Sequence, residues 1–463
     1  MTSAFAAIPG AIVPEGEVAP AHFGNPLGEQ RRLAEGKAIV HRGDRGVLTL
    51  TGPDRLTWLD SITSQSLSHL TAGQSTETLI LDPQGHIEHQ AAIFEDGETA
   101  WLIVDRADAE PLRAWLQKMR FMLRVEIMDA SDDWAVVGWM DSPESPARAV
   151  VLSAVASAAD ADADAVLPPI WADPWAAVTP GGYQYSGPEH PAADWSWAEA
   201  VVSPAALERI AAALQAPGAD ASAAGTLAAE ALRIEAWRPS WSHEVDEKAL
   251  PHEADWLRSA VHLNKGCYRG QETVAKVHNL GHPPRRLVML HLDGSESTLP
   301  EVGAEVTRAA THDDEGAIVP GAVVGRVTSV ALHHELGPVA LAVIKRSAPM
   351  DETLDVAVGD GHIAGNQEVI VPADAGATAN IPRLPRLGAR ARRELHPIED
   401  RHVVIAQRPP EMPAADHHRS VPDGLHVAVR AEHRGRSIED DVRGALDELD
   451  EPLLPTQRHA VPG

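Results

Sequence analysis

Residues 265–272 spell Lys265-Gly266-Cys267-Tyr268-Arg269-Gly270-Gln271-Glu272, a segment that contains the only cysteine among 463 residues. This octapeptide offers an ammonium, a thiol, a phenol, a guanidinium, an amide and a carboxylate. Glycine permits backbone conformations that other residues avoid, so the two glycines predict a tightly shaped loop. Because so many reactive groups on eight residues are rarely needed to hold a fold, the octapeptide is expected to carry function.

Cys267 is the candidate nucleophile of the octapeptide. A thiol flanked by Lys265 and Arg269 is expected to have a depressed pKa, which suits a nucleophile, a redox thiol or a soft metal ligand. The alternative is a small buried hydrophobe, the usual state of free cysteines. A thiol-protease interpretation needs a histidine partner, and although His262 and His278 are available, no protease signature surrounds the cysteine.

Composition limits the possible classes of protein. The length predicts two to four domains, and 44% apolar residues are ample for their cores. A single cysteine excludes a disulfide framework, a Cys-rich zinc site and an iron–sulfur cluster bound by this chain alone. No run approaches the roughly 18 apolar residues of a membrane span, so a cytoplasmic protein is expected. The formal net charge of −28 argues against binding to nucleic acid or anionic membranes.

The basic residues are unevenly distributed along this acidic chain. Residues 265–286 hold five lysines and arginines against one acidic residue, Glu272. Such a basic island predicts a site for a small anionic ligand. An ordinary solvated loop is the alternative, and charge alone does not decide between them.

The pattern of apolar residues predicts an α+β fold. Residues 91–94 and 101–104 flank the turn segment 95–98 as a hairpin, and a helical face follows at Leu112, Leu116 and Met119. Antiparallel strands interrupted by helices are typical of α+β proteins rather than of doubly wound parallel sheets.

Changes in composition divide the chain. Residues 1–38 are predicted to form an N-terminal arm, and 39–282 an α+β region with a low-complexity insertion near 153–165. Short β-rich runs predict a small β-barrel over 283–382. Residues 383–463 are rich in Arg, Pro, Asp and His without a sustained period, which predicts a disordered tail.

Tryptophan is unusually frequent, with 12 Trp against 3 Tyr and 4 Phe. Its broad π face suits a flat heteroaromatic ligand such as a pterin or purine, although most of these side chains are expected to pack in the core. Nearby, Arg233 and Glu235 on a predicted helix offer donors and acceptors for a ring's polar edge, or are simply solvated. Seven tryptophans cluster in one part of the chain: Trp171, Trp175, Trp195, Trp197, Trp237, Trp241 and Trp256.

The octapeptide resembles the K-G-C-[FY]-x-G-Q-E signature of YgfZ-type folate-binding proteins, relatives of the glycine-cleavage T-protein, an aminomethyltransferase. All seven specified positions match, and Arg269 occupies the variable one; we call residues 265–272 the signature loop. Residues 231–235 are similar to the family's "LRIEAG" helix, with Trp237 where a glycine is usual. Weaker similarities lie at 52–54, 324–329 and 340–342.

This resemblance implies a three-lobed α+β fold with a central channel for tetrahydrofolate and a C-terminal β-barrel. It implies a role in iron–sulfur cluster assembly or repair, and thereby in tRNA methylthiolation, with iron–sulfur enzymes or assembly proteins as partners. Cys267 and Lys265 would be the working pair, and no metal site is implied. Folate contacts would come from Arg233, Glu235, Trp237 and Lys265. Gly266 and Gly270 would shape the loop, and Tyr268 and Gln271 would orient it. Arg269 and Glu272 would lie near the thiol.

One departure bears on the choice between relatives. Aminomethyltransferases carry an essential aspartate in a segment that here reads Gly85-His86-Ile87-Glu88-His89, without aspartate. This disfavours aminomethyl transfer, although a folate-dependent one-carbon transferase with Glu88 as acid/base stays open as the alternative function. A folate-independent redox adaptor acting through Cys267 is a third possibility. The sequence leaves open whether the chain turns over a substrate.

Overall fold

A computed structural model describes residues 3–156, 168–295, 298–312, 318–319 and 321–379. The predicted tail over 383–463 and residues 157–165 of the predicted insertion lie outside the described residues; residues 153–156 end a helix. The boundaries proposed at 38/39 and 282/283 remain predictions.

Helices and strands alternate through the described segments, and no helix there is long and apolar enough to cross a membrane. The α-helices are α1 (Pro26–Ala34), α2 (Arg55–Ile62), α3 (Ala109–Met119), α4 (Pro146–Ala156), α5 (Pro204–Leu214), α6 (Thr226–Glu235), α7 (Trp241–Glu244) and α8 (Gln271–Asn279). The strands are β1 (Ala38–His41), β2 (Arg45–Thr51), β3 (Gln74–Leu81), β4 (Ile87–Glu95), β5 (Thr99–Asp105), β6 (Glu126–Asp129), β7 (Ala135–Met140), β8 (Ile170–Ala172), β9 (Trp197–Val202), β10 (Ser222–Ala224), β11 (Arg285–Leu292), β12 (Glu305–Arg308), β13 (Thr311–His312), β14 (Ile318–Val319), β15 (Val323–His333), β16 (Gly337–Lys345), β17 (Leu354–Val358) and β18 (Gly361–Val369).

The first lobe is a five-stranded antiparallel sheet with the order β3-β4-β5-β2-β6. Helices α2 and α3 contribute Trp58, Leu59 and Leu112 to one core with the inward residues Leu50 and Leu102. The hairpin predicted across residues 95–98 is confirmed as β4 and β5.

The second lobe is a five-stranded sheet with the order β10-β1-β7-β9-β8, in which only the β1–β10 pair is parallel. Helices α4 and α5 pack against it. The N-terminal arm belongs to this core, because Phe5, in a short 3-10 helix at Ala4–Ala7, is fully buried there. The arm is therefore a packed element.

The third lobe is a closed antiparallel barrel of six strands, in the order β11-β16-β15-β12-β17-β18, with β18 pairing back to β11. Alternating residues such as Val288, Leu290 and Val306 fill its interior. These three lobes confirm the predicted α+β class and the predicted small β-barrel.

A separate core joins the lobes at the centre of the fold. It combines Leu79 from the first sheet, Trp197 from the second and Leu287 from the barrel with the fully buried Trp175 and Trp256. Burying an aromatic side chain of this size removes a large apolar area from water, so the indoles hold the lobes together. The candidate site lies around this junction.

Candidate functional site

The signature loop leads into helix α8 and packs against the turn between β3 and β4. Gly270 has φ +80° at the N-terminal cap of α8, and Gly85 in the opposing turn has φ +86°. A Cβ added to Gly270 would lie 2.6 Å from the carbonyl oxygen of Asp82, and one on Gly85 would lie 2.9 Å from Cβ of Thr273. Both the conformation and the close approach therefore require glycine at these two positions.

Lys265 anchors the loop to the end of helix α2. Its ammonium contacts the carbonyl oxygen of Asp60 and lies 2.9 Å from that of Thr63 and 2.7 Å from that of Gln65. The side chain is only 3% exposed, and burial lowers the pKa of Lys265 while Asp60 opposes the shift. A cation at a helix C-terminus is favoured by carbonyls that lack intrahelical partners. This geometry makes Lys265 a positioning residue for the loop.

Cys267 is exposed at the surface of the signature loop, as are Gly266 and Glu272. The two cations expected to act on the thiol have other partners: Lys265 holds backbone carbonyls, and Arg269 binds a carboxylate of strand β4. An accessible thiol without a dedicated cation suits exchange or docking chemistry more than a preformed ion pair. The pairing of Cys267 with Lys265 stays a prediction.

Arg269 crosses to Glu88, with Nη1 2.5 Å from Oε2 and Nη2 3.5 Å from Oε1. Glu88 is the extra residue of a β-bulge, because Ile80 pairs with His89 while the next residue of β3 pairs with Ile87. Bulges re-aim side chains and are common beside active sites. The carbonyl oxygen of Glu88 accepts a hydrogen bond from Trp241 Nε1 at 3.1 Å.

A cavity of about 430 Å³ lies on the far side of Trp241, where the three lobes meet the N-terminal arm. This volume is within the usual range for small-molecule sites. The rings of Trp195 and Trp197 are stacked on its wall, with centroids 5.7 Å apart and an interplanar angle of 18°. Trp171 and Trp241 also line it, so four of the seven clustered tryptophans face the cavity.

A buried polar network forms part of the cavity wall. Arg238 Nε lies 2.9 Å from Asp173 Oδ2, and Arg238 Nη2 lies 2.7 Å from Glu77 Oε2. Gln90 Nε2 donates to the same Glu77 oxygen at 3.2 Å, and Trp195 Nε1 donates to Asp173 at 2.9 Å. Burial raises the pKa of Asp173 despite the opposing charge of Arg238.

The predicted folate contacts are separated in space. Arg233 lines the cavity, but Glu230, 2.6 Å away, and Glu244, 3.1 Å away, already bind its guanidinium. Glu235 and Trp237 do not line it: Glu235 lies 3.2 Å from His333 Nε2, and Trp237 is buried with its ring against that of His190. Trp237 has φ +55°, so the position where the resembled motif has glycine is left-handed in this chain as well.

The basic island expected at 265–286 does not exist as a patch, and that expectation was wrong. Arg285 pairs with Asp246 at 2.6 Å and with Glu253 at 2.8 Å, and Arg286 is buried in the barrel. With Lys265 and Arg269 also engaged, Lys276 is the one basic residue of this segment that stays exposed and has no side-chain partner among the described residues. The acids that neutralise this segment come from distant parts of the chain.

The sequence analysis missed the polar residues Arg238, Asp173 and Gln90 of the cavity wall, and the buried Glu77 that binds Arg238 and Gln90 from behind it. Gln90 carried a signal, since it is a polar residue within the apolar run of β4, and so did Arg238, which comes two residues after the "LRIEA" segment. In the part of the chain that the structure describes, no group of three His, Cys, Asp or Glu residues is placed to hold a metal ion.

Comparison with known proteins gives a consistent result. The chain is 26% identical over 360 residues to an aminomethyltransferase of Streptomyces avermitilis, an alignment that covers 75% of the chain and 88% of that protein. A segment of 105 residues is 34% identical to a putative chloroplastic transferase of Arabidopsis thaliana, covering 23% of the chain and 21% of that protein. No family model matches the chain.

The crystal structure of the glycine cleavage system aminomethyltransferase T of Bartonella henselae superimposes with a TM-score of 0.56 at 16% identity, covering 79% of this chain and 94% of that one. The chain has the aminomethyltransferase fold. Within this fold the signature loop and the cavity are neighbours, connected by Glu88 and Trp241. The matches support the aminomethyltransferase superfamily and do not bear on its YgfZ-type branch.

Proposed function

We propose that this chain binds tetrahydrofolate in the cavity between its lobes and acts as a folate-dependent one-carbon transferase. The observation that carries the proposal is the indole-lined cavity of about 430 Å³ in an aminomethyltransferase fold. Aromatic faces and a few fixed polar groups are what a flat heterocycle needs. The folate, when bound, supplies the acceptor for the one-carbon unit.

The cavity residues have distinct tasks in this proposal. Trp195 and Trp197 provide stacking surfaces, and the polar residues Gln90 and Ser240 line the same cavity. The folate therefore fits the residues that are present.

Glu88 is the residue that would move a proton in the transferase. Trp241 joins its backbone to the cavity wall, and Arg269 fixes its carboxylate. General acid/base catalysis needs a carboxylate within hydrogen-bond reach of the reacting group, directly or through one water. Glu88 is not among the residues that line the cavity, so it would act from behind Trp241, where its carboxylate is about one-third exposed. Arg269 acts here as a positioning residue for Glu88.

The test is transfer of the methylene carbon of an aminomethyl donor to tetrahydrofolate, with the donor's amino group released as ammonia, measured as formation of methylene-tetrahydrofolate. The native chain is expected to form it, and Glu88→Gln is expected to lose turnover while it binds tetrahydrofolate with unchanged affinity. Undiminished turnover in this variant would remove Glu88 from the mechanism, and absence of turnover in the native chain would contradict the transferase.

A second candidate is favoured by the exposure of Cys267 on a loop fixed at both ends, by Lys265 and Gly270. In this candidate the chain is a cytoplasmic tetrahydrofolate-binding protein that supports iron–sulfur enzymes, and thereby tRNA methylthiolation, through the thiol. Complementation of a strain lacking the protein distinguishes the two candidates. Cys267→Ala should abolish iron–sulfur enzyme activity here but leave transferase turnover intact, whereas Glu88→Gln should do the reverse.

A further inference from the structure

Three consecutive apolar side chains extend into solvent between helix α3 and strand β6. Phe121 is 80% exposed, Met122 is 97% exposed, and Leu123 is exposed as well. We call residues 121–123 the apolar turn. Single apolar residues are normal on a protein surface, whereas a contiguous exposed run marks a candidate interaction site.

The apolar turn is held in one conformation. The Leu123 N–H donates to the carbonyl oxygen of Arg120 at 3.0 Å, and Phe121 between them has φ +49°. A left-handed phenylalanine is strained, because glycine, asparagine and aspartate are the residues that favour this conformation. Just after the turn, Arg124 binds both carboxylate oxygens of Asp54. A surface that is ordered before its partner arrives loses less conformational entropy on binding.

A second apolar surface lies next to the turn on the first sheet. Strand β6 is an edge strand, and Met128 on it is 54% exposed. Met128 lies opposite Thr49 of β2, which in turn lies opposite Trp101 of β5. Residues that are opposite one another on neighbouring strands share a face of the sheet. Trp134 packs edge-on against Trp101 with 5.3 Å between the ring centroids, and both indoles are half-buried. We call Met128, Trp101 and Trp134 the sheet patch.

Charges of opposite sign accompany the two surfaces. Basic residues lie at the apolar turn: Lys118, Arg120 and Arg124. Acidic residues lie at the sheet patch: Glu126, Asp129 and Asp96, whose Oδ2 accepts from Trp101 Nε1 at 2.7 Å. The Arg124 side chain stays 74% exposed although it binds Asp54. The surface is therefore basic at one end and acidic at the other.

We propose that the apolar turn and the sheet patch form a two-fold interface with a second copy of this chain. Such an interface needs a surface that is complementary to itself, and here the turn of each copy packs on the patch of the other. An antiparallel arrangement about Val125 places Met122 opposite Met128 of the partner subunit. The same arrangement places Arg124 opposite Glu126 of the partner subunit. Apolar groups then meet apolar groups, and basic groups meet acidic ones.

The charges favour a second copy over a lipid surface. An anionic membrane would match the three basic residues of the turn but would repel the acids beside the patch, whereas a second copy matches both. The formal net charge of −28 per chain opposes association. At about 0.15 M salt, however, charges more than about 8 Å apart are largely screened, so the pairs at the contact outweigh this repulsion.

The size of the surface fits a weak dimer. Large apolar side chains bury on the order of 150 Å² each, so the exposed ones from two copies remove about 1,000 Å² from water. This area is near the lower limit for a specific interface. We therefore expect a dimer that dissociates on dilution.

The test is sedimentation equilibrium of the full chain from micromolar to submillimolar concentration at physiological salt. The native chain is expected to shift from monomer to dimer. Met122→Asp should weaken the dimer at least about tenfold, because it places a carboxylate in the apolar contact. Glu126→Lys should weaken it as well, because it brings a cation opposite Arg124. Leu280→Asp, at an exposed position after α8, adds the same charge elsewhere and should leave the dimer at its native strength.

Cross-linking tests the arrangement itself. In a Cys267→Ala background, Met122→Cys chains are mixed with Met128→Cys chains and treated with a short bis-maleimide. The mixture should give a covalent dimer faster than either chain alone, since only the mixture places a thiol opposite a thiol. Equal rates in all three samples would contradict the two-fold arrangement.

The remaining outcomes decide the occupant. A native chain that stays monomeric at every concentration, or a dimer that Met122→Asp leaves unchanged, would overturn the interface. Flotation of a monomeric chain with phosphatidylcholine–phosphatidylglycerol vesicles that is lost in Met122→Asp would overturn the second copy in favour of a lipid surface. Met122 does not line the cavity, so tetrahydrofolate binding should be unchanged in Met122→Asp, and the folate function stands or fails independently.

Discussion

Arg269 and Glu88 form an ion pair, with Arg269 Nη1 2.5 Å from Glu88 Oε2, that joins the signature loop to the bulge of strand β4. Arg269 stands at the variable position of the octapeptide, and Glu88 stands in the segment that lacks the aspartate of the aminomethyltransferases. The side chain of Glu88 is longer than that of an aspartate, and in this chain it occurs together with its partner Arg269. Through Trp241, the pair also connects the loop to the cavity wall.

The ion pair itself should contribute little to stability. Both side chains are about one-third exposed, so water screens their interaction. In a double-mutant cycle of Glu88→Gln and Arg269→Gln, followed by urea unfolding, we expect a coupling free energy of about 0.2–1 kcal/mol. A coupling above 2 kcal/mol would show that the pair is a buried structural element rather than a solvent-screened link.

Lys265 should be important for stability. Lys265→Met leaves the carbonyl oxygens of Asp60, Thr63 and Gln65 without their donor in a buried position, at an expected cost of about 2–4 kcal/mol in the free energy of unfolding. Lys276→Met on the exposed face of α8 is the control and should change it by less than about 0.5 kcal/mol. Equal unfolding midpoints in urea for the two variants would contradict the anchoring role.

The two glycines of the signature loop should respond differently to the same substitution. Gly270→Ala introduces a Cβ 2.6 Å from a carbonyl oxygen at φ +80° and is expected to destabilise the fold by about 2 kcal/mol or more. Gly266→Ala adds a Cβ with no atom within 4 Å and without a left-handed φ, so its stability should stay near the native value. Thermal unfolding of the pair measures the contrast, and indistinguishable Tm values would refute it.

Two neighbouring buried groups should make stability depend on pH with opposite signs. Burial lowers the pKa of His252 from 6.5 to about 4. The contribution of His252 to the free energy of unfolding is therefore complete above pH 6.5 and is lost as the pH falls through 4. Burial raises the pKa of Asp255 from 3.8 to about 6. The contribution of Asp255 to the free energy of unfolding is therefore complete below pH 3.8 and is lost as the pH rises through 6. Each shift corresponds to about 3 kcal/mol.

Urea unfolding between pH 4 and 6.5 tests these signs. His252→Gln should flatten the loss of stability toward acid, because the variant has no imidazole to protonate. Asp255→Asn should steepen it, because the opposing contribution disappears. If the free energy of unfolding depends on pH in the same way in both variants, the pKa shifts of His252 and Asp255 do not govern stability between pH 4 and 6.5.

Local chemistry explains what the sequence could predict. Gly270 of the octapeptide has a left-handed backbone conformation. So has Trp237, which stands where the motif that the "LRIEA" segment resembles has glycine. The β4–β5 hairpin and the barrel follow from short-range alternation. Such features depend on neighbours in the chain, so one sequence is enough to indicate them.

The failures concern contacts between distant residues. The basic island disappears because Asp246, Glu253 and Glu88 neutralise it from other elements. The polar wall of the cavity brings together Gln90, Asp173 and Arg238 from three separate segments. A periodicity in the sequence cannot reveal which far-off side chain shares a hydrogen bond, so these residues emerge only from the fold.

The most direct measurement is a titration of the native chain with tetrahydrofolate by calorimetry, paired with tryptophan fluorescence. We predict saturable one-to-one binding with quenching that decreases in Trp241→Phe, on the cavity wall, and stays at the native level in Trp115→Phe, on helix α3 outside the cavity. No heat and no quenching at millimolar tetrahydrofolate would contradict the central claim that the cavity between the lobes is a folate site.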